Sequence, residues 1–219
     1  MDYKGVVFDF NGTLFFDNDK HVKAWGAISK LIRGYGISEE ELHQQFNGTP
    51  NEGNIRYLTN QQVTVEEIEK YSKLKEEYYR TFCKEDSKNF HLVEGVVEYF
   101  EYLKNKKIPF TIASASIKEN IDFFIESFSL DKWIDPTAIV YDNGNYVDKV
   151  EMFKEAATLL NVGINDILVF EDSFSGIKNA YQAGIEKIIV VCNKEVEKQY
   201  LGLPGVIQTI EDFSAYQDR

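Results

Sequence analysis

The sequence has only two cysteines, four prolines and no apolar run near the about 20 residues that a membrane-spanning helix needs. Cys83 and Cys192 lie far apart without metal-ligand spacing. A disulfide scaffold and a cysteine-built zinc site are therefore excluded, and ordinary reduced thiols are expected, with one disulfide the most the chain can form. Basic residues are also short: 24 Lys and Arg face 36 Asp and Glu, for a formal charge of -12. That balance argues against nucleic acid or an anionic membrane as partner, since both require a basic footprint. It equally disfavours long-range steering of an anionic substrate, so a phosphate would have to be captured locally. The first residues run straight into a strand pattern rather than a signal peptide, and the expected location is cytoplasmic. No repeat or low-complexity linker is seen, and nothing in the sequence defines an oligomeric state.

What is there is ordinary globular composition, 43% apolar and 27% charged over 219 residues. Gly5-Val6-Val7-Phe8 reads as a short buried strand, broken by Asp9-Phe10-Asn11-Gly12-Thr13. Strand signals are then missing until Phe90. Trp25, Ile28, Leu31 and Ile32 fall at helical spacing, and Ser38-Glu39-Glu40-Glu41 and Thr64-Val65-Glu66-Glu67 read as capping boxes that start helices. The second of these helices turns Ile68, Tyr71, Tyr78 and Phe82 to one side. Beyond it, helices and strands alternate. Strands are expected over 108–113, 138–140, 167–170 and 188–191, a hairpin turn at Asn143-Gly144, and helices starting near Glu151 and Ser175. This order predicts an α/β fold with an open, mostly parallel sheet and a helical insertion after the first strand.

In such a sheet ligands bind beyond the carboxyl ends of the strands. Asp9 follows the first strand, Ser114 is expected to end the strand after the insertion, and Glu171-Asp172 end a later one. Each alone is consistent with a turn or a helix cap; together they bring polar groups from three segments to one rim. A carboxylate at Asp9 can attack phosphorus to give an aspartyl phosphate. Asp9, Asp172 and a nearby backbone carbonyl are the hard oxygen donors that Mg²⁺ prefers. Lys149 opens a helix, where the dipole disfavours a cation, and its functional reading is a phosphate clamp.

With these residues in place, the sequence resembles the haloacid dehalogenase-like superfamily, in the branch of β-phosphoglucomutases and small phosphatases. Asp9-Phe10-Asn11-Gly12-Thr13-Leu14 is similar to the first motif, Ser114 in Ile112-Ala113-Ser114-Ala115-Ser116 to the second, Lys149 to the third, and Glu171-Asp172-Ser173-Phe174-Ser175-Gly176-Ile177 to the fourth. The resemblance implies a Rossmann-like core over residues 1–15 and 92–219 with a helical cap over residues 16–91. It further implies Mg²⁺ held by Asp9, Asp172 and the Asn11 carbonyl, with Glu171 ligating or orienting. Ser114 and Lys149 would bind the transferring phosphoryl oxygens, and the substrate would be a small phosphorylated metabolite.

Asn11 departs from the pattern, because the family's phosphatases and mutases usually place there an aspartate that exchanges protons with the leaving group and the attacking water. An amide cannot do so. Three readings stay open: an enzyme that needs little protonation or borrows His21 as acid, a binding protein without turnover, and an engineered inactive variant. His21 and Trp25 resemble a histidine–tryptophan pair of the mutase-like branch. The cap loop Asn47-Gly48-Thr49-Pro50-Asn51 resembles the one that usually carries an arginine for a second phosphate. Here Asn51 stands in that place, with Arg56 the nearest arginine. Phosphoester hydrolysis is therefore expected ahead of a mutase.

Overall fold

The computed structural model describes residues 2–46 and 49–216 and divides them into two units, one of residues 2–16 with 91–216 and one of residues 17–46 with 49–90. In the first, β1 (Gly5–Phe8), β2 (Phe110–Ile117), β3 (Val140–Asp142), β4 (Ile167–Glu171), β5 (Ile188–Val191) and β6 (Val206–Ile210) form one sheet of order β3-β2-β1-β4-β5-β6. Every ladder is parallel. The strand order reverses direction at β1, which lies between β2 and β4, so the rim beside β1 is the topological switch point.

Alternation along the strands sends successive side chains to opposite faces. Phe8 and Phe170 join an aromatic layer with Tyr99, Phe100 and Phe213. Their neighbours Val7 and Val169 pack in a mainly aliphatic layer with Met152, Ile177 and Val190, joined by Phe153. The helices of this unit are α5 (Val96–Lys106), α6 (Lys118–Phe128), α7 (Lys149–Leu159), α8 (Phe174–Ala183) and α9 (Glu197–Tyr200).

The second unit holds α1 (Asn18–Arg33), α2 (Glu39–Glu41), a π-turn over Leu42–Phe46, α3 (Asn51–Leu58) and α4 (Val65–Glu85). Trp25, Ile28, Phe46, Ile55, Leu58 and Ile68 make its core. Both capping boxes form: Ser38 and Thr64 accept from the backbones of Glu41 and Glu67, whose side chains reach back.

Four local expectations are corrected. No hairpin forms at Asn143-Gly144. Gly144 takes φ +79 and turns the chain, but Asp148 then caps α7, and β3 pairs in parallel with β2. Asn-Gly specifies a turn, whereas a hairpin also needs a second strand to pair. Ser114 lies within β2, which runs on to Ile117 through a register shift. The edge strand β6 gives no strand signal in the sequence because none of its residues is buried and Gln208 and Thr209 interrupt the apolar run. Finally, the buried stripe of α4 is Ile68, Lys75, Glu76, Tyr79 and Cys83, with Tyr71, Tyr78 and Phe82 only half-buried. Both cysteines are free.

Candidate active site

Asp9 follows β1 directly, and its N–H donates to the Phe170 carbonyl at 2.9 Å. The chain then folds back on itself: the Leu14 and Phe15 N–H groups donate to the Phe10 carbonyl at 2.8 and 3.1 Å. Gly12 sits in this turn at φ +75, and a Cβ there would overlap the Asp172 carboxylate. Only glycine meets both conditions. Gly176, in the first turn of α8, makes the same allowance for the Glu171 carboxylate. Ser173 caps α8, its Oγ accepting from the Gly176 N–H at 3.0 Å.

These turns bring the carboxylates of Asp9, Glu171 and Asp172 together, with one oxygen from each within 4.8 Å of the others. Lys149, the first residue of α7, reaches into the group from another segment. Its Nζ lies 2.7 Å from Asp9 Oδ1 and 2.5 Å from Glu171 Oε1. Glu171 Oε2 accepts from the Asp172 N–H at 2.8 Å and from the Ser173 N–H and Oγ at 2.7 and 3.0 Å. Glu171 is thus fully buried and held from both ends. Burial pushes the Asp9 carboxyl up to about 7, with Lys149 pulling it down and Glu171 pushing it further up. For Lys149 burial acts downward, but Asp9 and Glu171 outweigh it and hold the ammonium above its usual value.

Two buried carboxylates on one ammonium, with the half-buried Asp172 carboxylate beside them, concentrate negative charge, a setting that favours a cation. The donors are all oxygen, the set that suits a hard divalent cation. Thr13 Oγ1, on the same turn, is buried with no hydrogen-bond partner among the described residues.

Asn11 is held by β2. Its Oδ1 accepts from Ser116 Oγ at 2.7 Å and more weakly from Ser114 Oγ at 3.4 Å, while the Ser116 N–H donates to Ser114 Oγ at 3.2 Å. Asp9, Asn11, Ser114, Lys149, Glu171 and Asp172 are therefore neighbours. Ser116 had no role in the sequence reading. The signal for it was its place two residues after Ser114 on a strand, where both side chains face the same way.

In the helical unit, His21 stacks on Tyr79 with ring centroids 4.1 Å apart. Its Nδ1 lies 2.9 Å from Lys75 Nζ and its Nε2 3.4 Å from Asp17 Oδ2, which also accepts from Tyr79 Oη. Lys75 is buried, pairs with Glu76 at 2.8 Å and lies 5.5 Å from the centre of the Trp25 ring. Asn51 donates to Glu76 at 2.9 Å and so joins this network. Arg56 does not: it pairs with Glu52 on its own helix at 2.7 Å. Asn47 lies outside the described residues. Lys75 and Glu76 escaped the sequence reading because α4 is rich in charge. Lys75 is nevertheless seven residues after Ile68 and four before Tyr79, the spacing of one helical face.

The family model described as haloacid dehalogenase-like hydrolase matches residues 6–190. The phosphorylated carbohydrates phosphatase of Thermotoga maritima is 27% identical over 210 residues, 95% of this chain and 94% of that protein. Among solved structures, a HAD hydrolase, family IA, variant 3 from Entamoeba histolytica superposes with a TM-score of 0.91 at 33% identity, covering 98% of this chain and 95% of its own. An aspartate-to-asparagine variant of CbbY from Rhodobacter sphaeroides, in complex with xylulose-(1,5)bisphosphate, reaches a TM-score of 0.78 at 18% identity, covering 97% and 96%. On the extent of the family match and the likeness to the Entamoeba protein, the chain belongs to the haloacid dehalogenase-like hydrolases.

Proposed function

We propose that this protein is a Mg²⁺-dependent phosphohydrolase for a small phosphorylated metabolite, acting through an aspartyl phosphate at Asp9. The observation that carries this reading is the convergence of the Asp9, Glu171 and Asp172 carboxylates at the switch point of the sheet, with Lys149 paired to the first two. Asp9, Asp172 and the Asn11 backbone carbonyl would hold the magnesium ion, which when bound supplies positive charge to the Asp9 carboxylate and the phosphoryl oxygens. Glu171 orients Lys149 and the turn at Asp172, since both its oxygens already accept from them.

An Asp9 oxygen attacks phosphorus, and the bond to the leaving oxygen breaks as that oxygen takes up a proton. Water then attacks the phosphorus of the aspartyl phosphate, loses a proton to solvent and releases inorganic phosphate, restoring Asp9. Lys149 and Ser114 bind the phosphoryl oxygens through both steps. Asn11 carries no exchangeable acid proton, so both proton transfers fall to solvent and turnover is slow. His21 is assigned no transfer, because its ring is engaged by Lys75 and Asp17.

Sugar phosphates head the substrates to be tried, given the Thermotoga enzyme and the bisphosphate bound by the Rhodobacter protein. A second reading, ligand binding without turnover, is favoured by Asn11 alone. Phosphate release is to be measured over a panel of phosphometabolites with Mg²⁺, with chelator, and for Asp9→Ala. Release that requires Mg²⁺ and Asp9 supports the hydrolase. Binding of sugar phosphates without release by the unmodified chain selects the second reading, and release that persists in Asp9→Ala rejects the mechanism.

A further inference from the structure

A concavity lies on the sheet-bearing unit beside its aromatic layer. It encloses about 530 Å³ between the start of α5 and the segment after β6, lined by Glu94, Glu98, Tyr99, Tyr102, Phe213 and Tyr216. That volume falls within the usual range of small-molecule sites. Gly95 makes the close approach of the two walls feasible: at φ +83 it lets residues 213–214 pack where a Cβ would collide with their backbone, and the Phe213 N–H donates to the Glu94 carbonyl at 2.9 Å.

The rings are fixed in place. Tyr99 and Phe213 are buried, and Tyr99 Oη shares a hydrogen bond of 3.0 Å with Tyr3 Oη. Phe170 packs against Phe213 and Tyr216 with centroids 5.0 and 5.4 Å away. Tyr102 stacks on Tyr99 at 5.9 Å, and Lys106 Nζ lies 5.8 Å from the Tyr102 centroid. Glu94, just before α5, and Glu98, in its first turn, are exposed on the lining, and neither makes an ion pair with a lysine or arginine among the described residues.

We propose that this cavity binds a small organic ammonium ion. Aromatic faces attract such a cation through their quadrupoles, and carboxylates on the lining add direct charge attraction. An anion would meet two like charges, and a neutral apolar guest would forgo both attractions. Walls held by the sheet's own aromatic layer keep the ordering cost of binding low.

The test titrates the full chain with choline and with putrescine by calorimetry, against 3,3-dimethylbutanol, the uncharged counterpart of choline. Saturable binding of at least one cation is expected, with the neutral alcohol roughly tenfold weaker or more. Glu98→Gln and Tyr102→Ala should each weaken the cation by roughly 3- to 30-fold, with circular dichroism unchanged. Glu98 is exposed, so its variant keeps the test informative if Tyr102→Ala unfolds. The proposal is overturned if neither cation saturates, if the alcohol binds as well as choline, or if a folded Glu98→Gln variant binds like the unmodified chain.

Discussion

Two buried polar clusters, one in each unit, place a lysine among acids and lead to opposite readings. At the strand ends, three carboxylates gather and two of them, Asp9 and Glu171, pair with Lys149. In the helical unit, Lys75 is shared by one carboxylate, an imidazole and the faces of Trp25 and Tyr79. There Asp17 accepts from Tyr79 and His21 lies beside it, while Glu76 accepts from Asn51 and Lys75. The first arrangement concentrates negative charge, and under the proposed function a cation from outside completes it. The second disperses its charge over neutral partners from the same unit. Counting the partners of each carboxylate, rather than the carboxylates, separates a site for a ligand from a network that holds helices together.

The largest test of this contrast is Asn11→Asp. If the strand-end cluster lacks only a proton carrier, the substitution raises kcat by roughly 10²–10⁴-fold on any phosphometabolite the chain hydrolyses. Steady-state phosphate release reads this, and an unchanged rate would remove Asn11 as the cause of slow turnover. Lys75→Met probes the other cluster. It leaves the buried Glu76 carboxylate without its ammonium partner, and a loss of about 3–5 kcal/mol is expected for breaking such a pair. Hydrogen exchange should show α1 and α4 opening more readily while β1 and β4 keep their protection. Equal protection in both variants and both units would erase the distinction.

Gly176→Ala is a finer probe of the first cluster. The added methyl displaces the Glu171 carboxylate and, through it, Lys149. A misplacement of about 1 Å costs roughly 10²-fold in rate, so kcat/KM should fall with the circular dichroism spectrum intact. Wild-type kinetics would show that Glu171 does not position Lys149.

The smallest effect is acid sensitivity of the helical unit. The Arg33 guanidinium, aided by the Ser38 N–H, holds Glu41 down at about 2, and the Lys20 ammonium with Asn89 holds Asp86 down at about 2. A depressed carboxyl contributes stability that is present above its unfolded value near 4 and is lost as pH falls through its folded value. Melting temperature should therefore decline from about pH 4 to about pH 2. Asp86→Asn should flatten part of that slope, and a parallel slope in the variant would remove the Lys20 pair from the explanation.

Much of this molecule was legible from its residues. Gly5-Val6-Val7-Phe8 and Ile167-Leu168-Val169-Phe170 read as short apolar strands, and each runs straight into acid. Ser38 and Thr64 announced their helices with a glutamate three residues on. β6 was not legible, because an exposed edge strand needs no apolar run. Lys75 was passed over because a lysine in a charged helix is ordinarily solvated.

The sequence by itself determined what depends on near neighbours: strand and helix type, the caps, the glycine turn at Gly12 and the acid at each strand end. Period and capping act within about one turn of chain, so they can be read along it. Only the tertiary structure decided that Lys149 stands between Asp9 and Glu171, that Ser116 holds the Asn11 amide, and that Lys75 is buried beside His21. Those pairings follow from which strands lie side by side and which helix faces meet. That is settled by burial of the two sheet faces and the helical core together, a property that no short stretch of chain contains.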